Sequence, residues 1–157
     1  MNASFNSGGE KEQPTRELTV LIAGARRIGI PASEIGAIAN WREPTPLPQA
    51  PKSILGIVCI QGRMLTLIDS LGLLGELRRK VPDGIVALRG DEQLALAVDG
   101  VAGSIEFTAD ELKDPNAQDS RAVLGNVSRG EESITVLNVG ELFAAAMLGY
   151  ARRRRRF

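Results

Sequence analysis

Apolar residues in this chain come in short runs, each closed by glycine, proline or a charged cluster. Residues 18–23 (LTVLIA) are the first run. Gly24 and Ala25 make a turn, and residues 27–30 return until Pro31 stops them. Runs of this length between turn residues predict β-strands. The densest signal is residues 55–70, LGIVCIQGRMLTLIDS. Apolar runs at 57–60 and 64–68 flank Gln61, Gly62 and Arg63, which predicts a hairpin. Neither arm alternates, so both are expected to be buried on two faces. More strands are expected at 85–88, 93–98, 101–107, 121–127 and 134–139, with turns at Gly90, at Asp99-Gly100 and around Gly130.

Helical spacing interrupts this pattern in a few places. Ser33 is placed to cap a short helical turn that holds Ile35 and Ile38 on one side. Leu71, Leu74 and Leu77 stack in a predicted short helix over 70–77. Thr108-Ala109-Asp110-Glu111 fits a capping box. Val139, Leu142, Phe143, Ala146, Met147 and Tyr150 form one helical stripe, which predicts a C-terminal helix over 139–150. Closely spaced strands with glycine turns indicate a mainly β fold, a barrel or a sandwich. Two β-rich halves, each followed by a helix, are a coarse internal echo.

The domain plan follows. Residues 1–16 are small, polar and charged and read as a disordered arm. Residues 17–150 form the domain, with a break between two β subdomains near 78–84, where Pro82-Asp83-Gly84 makes a turn. Residues 151–157 are a basic tail. Residues 41–51 hold Pro44, Pro46, Pro48 and Pro51 and make a stiff connector.

Composition narrows the function. Formal net charge is +0, but Arg152–Arg156 hide an acidic remainder of about −5, which argues against bulk nucleic-acid binding. Five cations on such a tail read first as solvated charge. Histidine is absent, removing the commonest general base and metal ligand. No catalytic set, cofactor or metal is expected. The one cysteine, Cys59, lies in an apolar run and is expected in the core. One cysteine, no signal peptide and no long apolar segment favour the cytoplasm.

The remaining candidates are weighed against ordinary structure. Gly56 and Gly62 permit close approach by backbone or partner, or serve turn geometry alone. Asp69, ending an apolar strand, suits an N-cap for the helix after it. Asp99 and Gly100 read as a turn. Ile35, Ile38 and Ile57 are either core or an apolar docking surface.

In order, LTVLIAGARRIGIPASEI, the proline loop ending QAPKSILGIVCIQGRMLTLIDS, LALAVDGV and ITVLNVGELF resemble the CheW-like domain of bacterial chemotaxis coupling proteins. The resemblance spans about residues 17–150. Pro51, Gly56, Gly62, Asp69 and Val98-Asp99-Gly100-Val101 carry its most specific parts. It implies two five-stranded SH3-like β-barrels around a shared core, with short helices and a C-terminal helix. It implies no enzyme but a scaffold that ties chemoreceptor cytoplasmic tips to the regulatory domain of a CheA-type histidine kinase. The receptor tip is expected in the groove between barrels, with barrel-to-barrel contacts building array rings and the membrane reached through partners only. The protein-binding residues so implied are Ile35, Ile38, Gly56, Ile57, Gln61, Gly62 and Arg63, with Asp69, Asp99 and Gly100 as structural motif.

Family members usually carry N-x-R-G where this chain has Cys59-Ile60-Gln61-Gly62, and often a glutamate where it has Ala37. The joint absence of acid and base reads as compensated divergence, because one surviving charge near a packed groove costs more than losing both. It implies a less polar receptor-facing surface and a non-standard receptor or a non-flagellar pathway, with Arg63 as a displaced positive charge. The alternative is a nucleic-acid-binding small β-barrel with a basic tail, but no aromatic sits with basic neighbours on a predicted strand.

Overall fold

The computed structural model describes residues 14–115 and 121–147. The strands are β1 (Thr15–Ala23), β2 (Arg26–Pro31), β3 (Ile35–Asn40), β4 (Ile54–Ile60) and β5 (Arg63–Asp69). After the single-turn helix α1 (Ser70–Leu73) come β6 (Gly84–Leu88), β7 (Leu94–Val98), β8 (Gly100–Thr108), β9 (Val123–Arg129) and β10 (Glu132–Leu137). They form two five-stranded sheets, ordered β9-β10-β2-β1-β8 and β4-β5-β7-β6-β3. In each, the second and third strands run parallel and all other neighbours antiparallel.

The second sheet is therefore inserted into the first, between β2 and β8. Residues 78–84, the expected break, join α1 to β6 beside the second sheet and do not divide the two sheets. Equivalent features recur at a spacing of 68 to 69 residues. The β4 bulge between Ile54 and Gly56 matches the β9 bulge between Val123 and Gly125. The Thr45–Ile57 bridge on the edge of β4 matches the Lys113–Asn126 bridge on the edge of β9. The echo in the sequence is thus a three-strand unit, β3–β5 and β8–β10, paired each time with a separate hairpin.

One aliphatic cluster lies between the sheets. Leu21, Ile28 and Ile30 meet Ile68, Val86 and Leu96, and Leu142, Ala145 and Ala146 close it. The second sheet curls around its own cluster of Val58, Ile60, Leu65, Leu67 and Ile85. The first does so around Leu18, Phe107, Val127 and Val136.

Several expectations need correction. β1 begins at Thr15, which pairs with Thr108, so the expected arm of 1–16 is too long by at least two residues; residues 1–13 lie outside the described residues. Ala32–Glu34 make a 3-10 turn without a side-chain cap, and Ile35 already belongs to β3. The helix over 70–77 stops at Leu73, leaving Leu77 exposed. Asp99-Gly100 is no hairpin turn, because β7 and β8 lie in different sheets. The C-terminal stripe divides. Leu142 and Ala146 are buried, with Ala145 outside the stripe buried beside them, while Phe143 and Met147 are exposed; residues 148–157, including Tyr150 and the arginine tail, lie outside the described residues.

The cleft margin, the hairpin turn and an ion cluster

Edge strand β3 puts Ile35 and Ile38 on one face by a route the sequence hides. In a regular strand, residues three apart point to opposite faces. Here the register shifts between Ile35 and Ala37, so Ile35 pairs with Leu88, Ala37 with Ala87 and Ile38 with Val86. Leu88 and Val86 face the cluster between the sheets. Ile35 packs against that cluster, and Ile38, on the same face, stays 53% exposed. Ala37 takes the opposite face and packs on the second sheet's own cluster. On the first sheet, edge strand β8 sets Val101 opposite Leu21, and Val101 is likewise exposed.

The hairpin of β4 and β5 turns at Gln61 and Gly62, with φ of 52° and 81°. Positive φ at both central residues gives the twist that a two-residue hairpin loop needs. Arg63 folds back from the turn, its Nη1 3.5 Å from the Leu88 carbonyl and Nη2 3.3 Å from that of Gly90. It thus serves the β6–β7 turn, close to Ile35, whose carbonyl accepts from Arg89 Nε at 3.1 Å.

Gly56 is needed for another reason. Its φ is 141°, and a Cβ there would overlap the carbonyl of Thr45. The proline loop is consequently a fixed part of the domain. Thr45 and Ile57 exchange two backbone hydrogen bonds of 2.9 Å and cover the β4 edge. Arg42 Nη1 adds a bond of 2.6 Å to the Cys59 carbonyl. Such covers keep an edge strand from pairing with other chains. As that edge strand, β4 alternates: Val58 and Ile60 are buried, Ile57 half-buried and Cys59 exposed. Cys59 is therefore not in the core, and the arm is not buried on two faces.

Sequence reasoning missed Arg78. Its side chain is 12% exposed and bridges Asp69 and Asp99. Nε donates to Asp69 Oδ1 at 2.8 Å and Nη1 to Asp99 Oδ1 at 2.6 Å. Asp69 also accepts the Leu71 N–H at the start of α1. Burial disfavours the charge on Arg78, but the hydrogen bonds to Asp69 and Asp99 outweigh it and hold its pKa above the usual value. The cluster joins the end of β5, the α1–β6 connector and the crossing from β7 to β8. Only Arg78's place in a charged run signals it, and such runs usually read as solvated.

Among the described residues no group of acidic, cysteine or histidine side chains is placed to hold a metal ion, and no helix is long and apolar enough to cross a membrane. Residues 17–147 match the CheW-like domain family. The chain belongs to that family. Within it, the chain is similar to protein FrzA of Myxococcus xanthus, 28% identical over 85% of this chain and 89% of FrzA. The solved structure of the scaffolding protein TtCheW from Thermoanaerobacter tengcongensis shares the fold. It has a TM-score of 0.73 and 20% identity, covering 83% of this chain and 93% of that one. The CheW-like architecture of two SH3-like barrels is thus present, with a chemosensory adaptor family behind it.

The CheW-like frame brings some of the sequence-predicted residues together. Arg63 reaches the Leu88 carbonyl and Ile35 pairs with Leu88, so both lie by the β6–β7 turn, and Ile38 extends the same edge. Gly56 and Ile57 lie under the proline loop. Asp69 and Asp99 share Arg78, and Gly100 opens β8. Ala37 packs inward from β3, whereas Gln61 is exposed at the hairpin turn.

Proposed function

We propose that this protein is a non-enzymatic coupling protein that joins chemoreceptor tips to the regulatory domain of a CheA-type histidine kinase. The observation that carries this reading is the apolar edge strand β3 beside the core that the sheets share. Ile38 stays exposed on the face that enters the shared core. A helical receptor tip laid along that strand covers Ile35 and Ile38, and the hairpin turn with Gly62 and Arg63 lies on the same sheet. Two barrels give one chain separate contacts for receptor, kinase and a neighbouring copy in a ring. Weak contacts of this kind gain strength through multivalency.

At Ala37 and Gln61 the chain lacks the acid and base that family members often carry, which supports a non-standard receptor or a non-flagellar pathway. The protein then works in the cytoplasm and meets the membrane only through its partners. The nucleic-acid reading finds no support: among the described residues Phe107 is the only strand aromatic, and it is buried.

The experiment is co-sedimentation of the chain with receptor-bearing membranes and purified kinase from the same cells. Binding to both is expected, with Ile38→Glu weakening receptor binding roughly tenfold and sparing the kinase. Co-sedimentation with neither partner overturns the reading.

A further inference from the structure

Between α1 and β6 the usual burial is inverted. Arg78 is 12% exposed, while Leu77 and Val81 are 78% and 62% exposed. A free segment would cover its aliphatics and solvate its arginine. Asp69 and Asp99 hold the inversion by latching Arg78 from behind. Leu77 and Val81 are thereby displayed on either side of Arg79 and Lys80. Both cations are exposed, and neither has an ion-pair partner among the described residues.

Beside this strap lies a groove of about 440 Å³, walled by Trp41, Pro44, Leu55 and Val81. Its lining is mostly apolar and carries Arg78, Arg79 and Lys80 against the single carboxylate of Glu43. We propose that the latched strap and this groove are a docking surface for an acidic amphipathic segment of another protein. Apolar side chains of the segment fill the groove and cover Leu77 and Val81, while its carboxylates meet Arg79 and Lys80. A concave site of this size suits a peptide rather than a flat bilayer. A second copy is disfavoured, because a two-fold contact would set one basic strap against another. The proposal stands apart from the receptor–kinase reading, since it needs only the strap and the groove.

The chain's single tryptophan lines the groove, so its emission reports occupancy. The probe is a helical peptide of about 15 residues with leucines four apart flanked by glutamates, compared with the same peptide carrying lysines. The full chain is expected to bind the acidic peptide with a shift in Trp41 emission and to ignore the basic one. Leu77→Ser with Val81→Ser, and separately Arg79→Glu with Lys80→Glu, should each weaken binding roughly fivefold or more. These variants alter only exposed side chains, so folding is not at stake. Equal binding of both peptides, or no loss in either double variant, overturns the proposal. So does self-association through the strap, or binding to phosphatidylserine vesicles that the same substitutions abolish without discrimination between the peptides.

Discussion

Asp99 Oδ2 accepts the Gly24 N–H at 2.6 Å, tying the crossing out of the second sheet to the β1–β2 turn of the first. The other oxygen of the same carboxylate holds Arg78. Asp99→Ala leaves Arg78 half-paired in a buried site, and removing one partner of a buried ion pair costs about 3–5 kcal/mol. Urea unfolding at neutral pH is expected to show a loss in that range. Gly24 is an exposed turn residue, so its amide should also lose its protection from hydrogen exchange. A loss below about 1 kcal/mol would show the cluster to be decoration.

Gly56 and Gly62 should respond to alanine differently. At Gly56 the new Cβ meets backbone at Thr45, which cannot swing aside. At Gly62 the surroundings are open and only the φ of 81° is unfavourable. Gly62→Ala is expected to cost about 1 kcal/mol and Gly56→Ala about 2 kcal/mol or more. Equal thermal shifts for the two would contradict the overlap.

Cys59 should react with a maleimide in the native state, because β4 points it outward. Cys59→Ser should change stability by less than about 0.5 kcal/mol. Labelling that begins only in denaturant would place the thiol inside after all.

Glu111 sets an acid limb of stability. The Thr108 N–H and then Arg129 hold its carboxylate below the usual glutamate pKa. A carboxylate with a depressed folded pKa stabilises fully above its unfolded pKa of about 4.3 and loses that contribution as pH falls through the lower folded value. Glu111→Gln should therefore be less stable than the parent at neutral pH and converge with it in acid. Parallel stability curves across that range would remove Glu111 as the cause.

Ala37→Glu pushes a carboxylate toward an aliphatic cluster. Alone it should destabilise by about 1–3 kcal/mol. Gln61→Arg, at an exposed turn, should be nearly neutral. If the double variant recovers the lost stability, acid and base reach one another across the barrel end; strict additivity would mean that they do not.

What was legible in the sequence follows from the range of the forces involved. Strand hairpins declare themselves through local runs and turn residues, as Gln61-Gly62 does. The Thr108–Glu111 capping box is equally local, and Ala109–Glu111 is indeed a 3-10 turn. Features set by distant partners were hidden. Nothing near Cys59 says that β4 is an edge. Nothing near Ile35 says that a bulge brings Ile38 to its side. The burial of Arg78 depends on Asp99, 21 residues away. Leu77 reads as a helical core residue until that latch turns the chain over.

The insertion of one barrel into the other also orders events during synthesis. The second sheet draws all its strands from one contiguous stretch, residues 35–98, whereas β1 and β2 wait for β8, β9 and β10 to complete theirs. A ribosome-bound chain that has not reached Leu137 therefore holds its first hairpin without β10, the strand that β2 pairs with, and holds the core between the sheets without Leu142, Ala145 and Ala146 to close it. Premature termination before Leu137 leaves that core open, a surface that chaperones and proteases read as unfolded. The first barrel is thus finished only when β10 is in place, and a copy cut short of it cannot pass as a working half.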